Sequence, residues 1–170
     1  MFSELTKHLN ENNVIVAGLR ADHHNTFGIF LTPRLHYKFN FTDQSAFRLS
    51  AGRGFRTAHP VLENGSAMAS ARSIIIEQNL QPEIAWNYGS SITHAFAFFE
   101  KNMTFTVDYY FTNFNNQIVA DIENPREVSF YNLKGNSYSH SLQSEWGIEL
   151  TEYFELKAAY KWYNIKTQYN

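Results

Sequence analysis

The chain has no cysteine among its 170 residues, which excludes disulfide staples and thiolate metal sites and leaves the redox compartment unmarked. It also lacks any apolar run long enough for a membrane helix, which needs about 20 consecutive residues. Charge is sparse and balanced. The 14 Lys+Arg and 16 Asp+Glu leave a formal net charge of -2, so broad electrostatic attraction to nucleic acid or anionic lipid is absent. The opening residues, Met1-Phe2-Ser3-Glu4-Leu5-Thr6-Lys7, contain no charged leader followed by an apolar segment, and no export signal is visible. An outer-membrane protein must be exported, so a membrane reading requires that this stretch start inside a longer protein.

Aromatics are plentiful instead. Phe (15) and Tyr (10) far outnumber Trp (3), a balance that suits strands and interfacial girdles better than a helical bundle. They fall on a ladder of period two, the period of strands. Phe47, Leu49 and Ala51 alternate with Arg48, Ser50 and Gly52. Ile84, Trp86, Tyr88, Ile92, Phe96 and Phe98 share one parity; Ala85, Asn87, Gly89, Ser91, Thr93 and Ala95 share the other. Met103, Phe105, Val107, Tyr109 and Phe111 oppose Thr104, Thr106, Asp108 and Thr112, and later Tyr138, Leu142, Trp146, Ile148 and Leu150 oppose a run of Ser, Gln and Glu.

This patterning predicts one domain of about eight strands. Their expected bounds are 1–7, 13–24, 32–41, 46–55, 82–99, 103–122, 128–150 with an interruption at Asn132 to Gly135, and 153–167. Connections after the first, third, fifth and seventh strands are tight, built on Asn10-Glu11-Asn12, Thr42 to Ser45, Glu100-Lys101-Asn102 and Thr151-Glu152. Those after the second, fourth and sixth are expected to be longer or irregular. The longest, Arg56 to Gln81, holds Pro60, Gly65 and an expected helical turn around Met68 to Ile75. Tight turns alternating with long loops is the plan of outer-membrane barrels. Phe39, Phe41, Phe47, Phe96, Phe98, Phe99, Phe105, Tyr153 and Phe154 gather near the tight turns, where an interfacial girdle would sit. A soluble β-sandwich with its aromatics in a core is the alternative, and composition with periodicity leaves the two almost balanced, slightly on the side of the sandwich.

Chemistry-bearing motifs are weak. Gly52-Arg53-Gly54 opens like a dinucleotide fingerprint, but no third glycine follows in place, and it reads better as a strand end where small residues let the backbone bend. His23-His24 is the only adjacent pair among seven histidines, and neighbours on a strand point to opposite faces, a poor chelate. His94 and His140 sit on the apolar parity and read as interfacial. Ser139-His140 and Asp22-His23 lack the spacing of a catalytic constellation, so no enzyme activity, metal or cofactor is expected.

Arg48-Leu49-Ser50-Ala51-Gly52-Arg53-Gly54-Phe55-Arg56-Thr57-Ala58 resembles the strand and loop entry of TonB-dependent outer-membrane receptors. Further segments resemble the same family in the expected order. They are Gly18 to Asn25, Thr32-Pro33-Arg34-Leu35, Leu80-Gln81-Pro82-Glu83, Trp86-Asn87-Tyr88-Gly89, Asp108-Tyr109-Tyr110, Asn113 to Val119 and Tyr131-Asn132-Leu133. The resemblance covers nearly the whole chain. It implies an all-β, antiparallel, up-and-down transmembrane barrel segment: about eight strands of a barrel of about 22. The family's signal, TonB-engaging segment and plug are not in this stretch. Nor is a closing strand with a terminal aromatic, since it stops at Gln168-Tyr169-Asn170, and residues 1–170 are expected to be an internal piece of the barrel domain.

The resemblance further implies TonB-coupled uptake of a scarce nutrient, such as a ferric siderophore, haem or cobalamin, in the outer membrane of a Gram-negative bacterium. The implied partners are outer-membrane lipid, the TonB complex through the N-terminal region, and a small metal complex or vitamin. Arg20, Arg34, Lys38 and Arg48 fall on the polar parity and are expected to face the lumen or the plug, because a cation on the lipid face near the midplane costs about 2–4 kcal/mol. Arg56, His59, Glu63 and Asn64 are the expected ligand contacts, from their place on an outward loop. A closed eight-stranded barrel with an adhesive or structural role, and a soluble β-sandwich binding module, are the alternatives.

Overall fold

A computed structural model describes residues 1–77 and 79–169. Gln78 in the long connection and Asn170 of the terminal tripeptide lie outside the described residues.

Among the described residues eleven strands form two sheets. Eight of them make one antiparallel meander in the order β1 (Phe2–Asn10), β2 (Asn13–His24), β3 (Gly28–Thr42), β4 (Ser45–Arg56), β6 (Glu83–Phe98), β7 (Lys101–Asn115), β10 (Ser137–Thr151), β11 (Phe154–Thr167). Each strand pairs with its predecessor in this series, so chain order and spatial order agree. Between them, β5 (Ser73–Ile76), β8 (Ile118–Asp121) and β9 (Glu127–Asn132) make a small mixed sheet in which β9 is central, parallel to β5 and antiparallel to β8. Among the described residues β1 and β11 do not pair with each other, and the large sheet stays open. A closed eight-stranded barrel is therefore not what the chain forms. A β-sandwich is not formed either, since the small sheet packs through its own strands and lies across neither face of the large one.

The four tight turns all have two-residue loops, and they manage strand twist in two ways. The β1–β2, β3–β4 and β10–β11 hairpins carry a register shift beside the turn, between His8 and Asn10, Asn40 and Thr42, and Glu149 and Thr151. Such a bulge increases the local twist. The β6–β7 hairpin has no shift but holds Phe99 (φ 48) and Glu100 (φ 60) in the left-handed region, the backbone of a type I′ turn, whose twist matches the flanking strands. This turn lies one residue earlier than Glu100-Lys101-Asn102, because Lys101 pairs with Phe98.

Two expectations about the opposite end are revised. The connection after β2 is only Asn25 to Phe27, since β3 begins at Gly28 (φ +76) and pairs with His24. In the long connection the helical turns come earlier, as α1 (Pro60–Glu63) and α2 (Gly65–Met68), while Ser73-Ile74-Ile75-Ile76 is strand β5. A run of β-branched residues favours the pleated backbone over a helix.

Register sorts the side chains onto two faces. One row runs Glu4, Gly18, Arg34, Gly52, Asn87, Thr112, Ser139; its neighbour runs Leu5, Ala17, Leu35, Ala51, Tyr88, Phe111, His140. Almost nothing in the large sheet is buried. Leu35 is 49% and Trp146 48% exposed, and Leu5, Leu19, Leu31, Leu49, Ile92, Leu156 and Trp162 are exposed on the same face. Among the described residues the buried hydrophobic side chains include Phe30, Val128, Phe130 and Leu133, three of these on or beside the central strand of the small sheet.

Candidate functional site

The polar face carries all four cations picked from the sequence, and it treats them differently. Arg34 forms an ion pair with Glu4 across the intervening strand β2, and its guanidinium also sits 4.9 Å over the Phe2 ring. The residue it crosses is Gly18. A Cβ there would lie 2.7 Å from Arg34 Nε and 2.9 Å from its Cγ, so a larger residue would block the path. Arg20 pairs with Asp22 on its own strand at 2.7 Å. Arg48 donates to the Thr93 hydroxyl at 3.3 Å, its only side-chain hydrogen bond among the described residues, and Lys38 stands directly opposite Arg48 in the register.

The four loop candidates are brought together at the far end of β4, where Arg56, His59 and Glu63 bond to one another and Asn64 bonds to Pro60. Arg56 pairs with Glu63 at 3.2 Å; Glu63 Oε1 accepts the His59 backbone N–H at 3.1 Å; Asn64 Nδ2 donates to the Pro60 carbonyl at 2.8 Å. They shape α1 and its approach.

Sequence reading missed what anchors this end. Glu83, with a side chain 12% exposed, takes Arg56 on Oε2 at 2.5 Å and the Ile118 backbone N–H on Oε1 at 2.8 Å. Asn132 does more. Its Oδ1 accepts from Gln81 N at 2.7 Å, and its Nδ2 donates to the carbonyls of Gln81 (2.9 Å) and Asn116 (2.7 Å). Three segments that resemble family motifs, Leu80 to Glu83, Asn113 to Val119 and Tyr131-Asn132-Leu133, thus converge on one tie between both long connections. The signal was present as motif order, but not the bonding.

Beside it, Arg53 Nη1 donates to the Leu31 carbonyl at 2.7 Å, just past the point where β3 and β4 stop pairing. Phe30 stacks on Phe55 there at 4.1 Å.

On the apolar face, aromatic contacts run between strands. Phe105 packs on Trp146 (4.1 Å), and His140 lies 4.9 Å from Phe111 while its Nδ1 is 2.8 Å from the Tyr109 hydroxyl. His94 Nδ1 is 2.6 Å from the buried Ser45 hydroxyl. Both histidines thus bond to a hydroxyl on a neighbouring strand. Among the described residues no three His, Asp or Glu side chains are grouped to hold a metal, and no helix is long and apolar enough to cross a membrane, which says nothing of a β-barrel.

The family model described as TonB dependent receptor-like, beta-barrel matches residues 1–170. No curated protein matches the chain in sequence. Among solved structures, the siderophore receptor PirA from Pseudomonas aeruginosa superposes with a TM-score of 0.77 at 16% identity, over 96% of this chain and 31% of that one. A mutant of the ferric enterobactin receptor PfeA from Pseudomonas aeruginosa follows at 0.72 and 14%, over 95% and 26%. The FrpB iron transporter from Neisseria meningitidis gives 0.70 and 12%, over 97% and 25%. At these identities the likeness is one of fold, and the chain spans under a third of each receptor's length.

Proposed function

From the premise that the chain belongs to the TonB-dependent receptor β-barrel family, we propose that it is a wall sector of an outer-membrane receptor for TonB-coupled uptake of a scarce nutrient. The family is one of receptors and transporters of the Gram-negative outer membrane, not of enzymes. Its members therefore act by binding and conformational work rather than bond chemistry.

One observation carries the membrane part of this reading. Within the large sheet most of the exposed large apolar side chains lie on one face, while the other face is mainly polar and carries only Phe2, Tyr110, Tyr163 and Ile165 among the exposed large apolar and aromatic residues described. A contiguous exposed apolar surface marks a membrane or partner contact. In a barrel, alternate residues meet lipid and lumen, so the apolar face is the lipid face and Arg20, Arg34, Lys38 and Arg48 stand in the lumen, where they face a plug. The strands of 15 and 16 residues, β3, β6, β7 and β10, exceed the roughly 9–11 needed to span a bilayer and carry the sheet beyond it at the long-connection end. Two free edges, β1 and β11, are where further strands of a barrel of about 22 would pair.

The solved relatives are named for siderophores, iron and, in the transporter OprC, copper. That favours a metal complex as cargo here, with ferric siderophores first and haem and cobalamin after. Arg56, His59, Glu63 and Asn64, at the mouth of the sector, are proposed as ligand contacts through the groups their mutual bonds leave exposed. The test is accumulation of radiolabelled iron from a siderophore panel, and of labelled cobalamin, in cells with and without the coding gene. Deletion should abolish uptake of one cargo, and a TonB-deficient strain should show the same loss. Unchanged uptake of every cargo would refute the transport reading.

A further inference from the structure

Charge sign divides the two faces of the large sheet. Among the described residues every carboxylate borne by its eight strands, from Glu4 and Asp22 to Glu149 and Glu155, stands on the polar face, and the apolar face has none. Histidines aside, the charges on the apolar face are all positive and lie at its two ends. Lys7 and Lys101 stand by the tight turns, Arg53 and Lys166 by the long connections. Arg53 and Lys166 end a single register row that runs Arg53, Trp86, Asn113, Tyr138, Lys166 across β4, β6, β7, β10 and β11. Every side chain on this row carries a hydrogen-bond donor. Arg53 uses one, Nη1 to the Leu31 carbonyl at 2.7 Å, while Trp86 Nε1, Asn113 Nδ2, Tyr138 Oη and Lys166 Nζ donate to nothing among the described residues.

The height of the row matters as much. From Met103 to Asn113, β7 rises about 34 Å, which is about 26 Å along the membrane normal at a tilt of about 40°. The apolar band of a barrel is about 25 Å tall, so the row falls where hydrocarbon gives way to headgroups, the level at which Trp and Tyr gather.

We propose that this row docks phosphate-bearing lipid headgroups in the leaflet at the long-connection end. The Arg53 fork and the Trp86 N–H, about 5 Å apart on adjacent strands, take one phosphate; Lys166 and the Tyr138 hydroxyl take another. The two cations are about 19 Å apart across four strand spacings, too far for one phosphate and wide enough for two headgroups side by side. Charge complementarity selects the occupant. A phosphomonoester brings close to two negative charges and three acceptor oxygens, which suit a row of donors with no carboxylate on its face. The acyl chains continue onto the apolar rows below, so the occupant is a lipid rather than free phosphate. The proposal rests on the sector reading, in which that face meets lipid.

The chain in lipid discs of phosphatidylcholine and phosphatidic acid tests this, with each lipid brominated in turn to quench tryptophan. One variant keeps only Trp86 (Trp146→Phe with Trp162→Phe), a second only Trp146 (Trp86→Phe with Trp162→Phe). Trp146, nearer the tight turns on the same face, should be quenched by both lipids. Trp86 should favour phosphatidic acid about tenfold, the effect of one charged hydrogen bond, and less so with added salt. Arg53→Gln should bring that ratio to about one. In native mass spectrometry the unaltered chain should retain two phosphatidic acids, Arg53→Gln and Lys166→Gln one each, and Lys161→Gln, which removes an exposed cation from the polar face, still two. Lys166→Glu should exchange one phosphatidic acid for a lipid with a trimethylammonium headgroup, a gain only a folded variant can make. Three results overturn the proposal: equal quenching of Trp86 by the two lipids, lipid loss in Lys161→Gln, or displacement of phosphatidic acid by equimolar inorganic phosphate. Failure of the sector reading is seen separately, as a Trp146 that neither lipid quenches.

Discussion

Arg34 reaches Glu4 because the residue between them has no side chain. Gly18 lets the guanidinium cross a whole strand, and the ion pair with its Phe2 contact ties the edge strand β1 to β3. The pair is half exposed and by itself worth under about 1 kcal/mol. Its consequence is local. Gly18→Ala would push Arg34 off this path, so amides of β1 should exchange faster with solvent than those of β2, while β10 and β11 keep their protection. Uniform protection across both ends after the substitution would mean that the crossing does not matter. Gly135 is a harder case of the same constraint, since a Cβ there would sit 1.8 Å from the Gln168 carbonyl oxygen, a backbone atom that cannot swing aside.

Between elements, Asn132 and Glu83 tie the long connections alongside the apolar core of the small sheet. Asn132 satisfies three backbone groups on two separate segments, and no other described side chain bridges Gln81 to Asn116. Asn132→Ala strands all three, and their exposure to water limits the cost to about 1–3 kcal/mol. The expected outcome is faster proteolytic cleavage within residues 57–82, with the tight-turn ends still resistant. A cleavage pattern identical to the parent would show that β9 alone, through Val128 and Phe130, anchors the connection. The same logic explains why the apolar faces of the eight long strands contribute no core of their own. Each presents its greasy row outward, so tertiary stability within the sheet rests on the ladder hydrogen bonds and cross-strand pairs.

For the molecule as a whole, an open sheet with one uncovered apolar face and two unpaired edges is unstable in water. Edge strands with free N–H and C=O groups template pairing with other chains, and the exposed face adds a hydrophobic drive to associate. In detergent-free buffer the chain should aggregate, and in micelles or lipid discs it should become soluble with an undiminished strand signal. Light scattering with circular dichroism measures both. A monodisperse monomer in buffer alone would sink the lipid-facing assignment, because no element among the described residues covers that face.

Most of this architecture is written into local pattern. Strict alternation at Phe47 to Gly52, Ile84 to Phe98 and Met103 to Thr112 requires strands with unlike faces, because adjacent Cβ atoms on a pleated chain point in opposite directions. Short polar connections then oblige antiparallel neighbours, so the meander order was legible, and the cations on the polar parity were legible with it. What alternation cannot express is anything between residues far apart in the chain. It left sandwich and barrel sector unresolved, because covering a face and closing an edge are properties of the assembled sheet. It placed Arg56 to Asn64 on a loop but not in mutual contact, and it passed over Asn132 and Glu83, whose partners lie in other segments. Only the tertiary structure decided that Arg34 is neutralised across Gly18 while Lys38 and Arg48 face each other unpaired. Charge sign is a property of the residue, but charge balance depends on register, and register is set by the whole sheet.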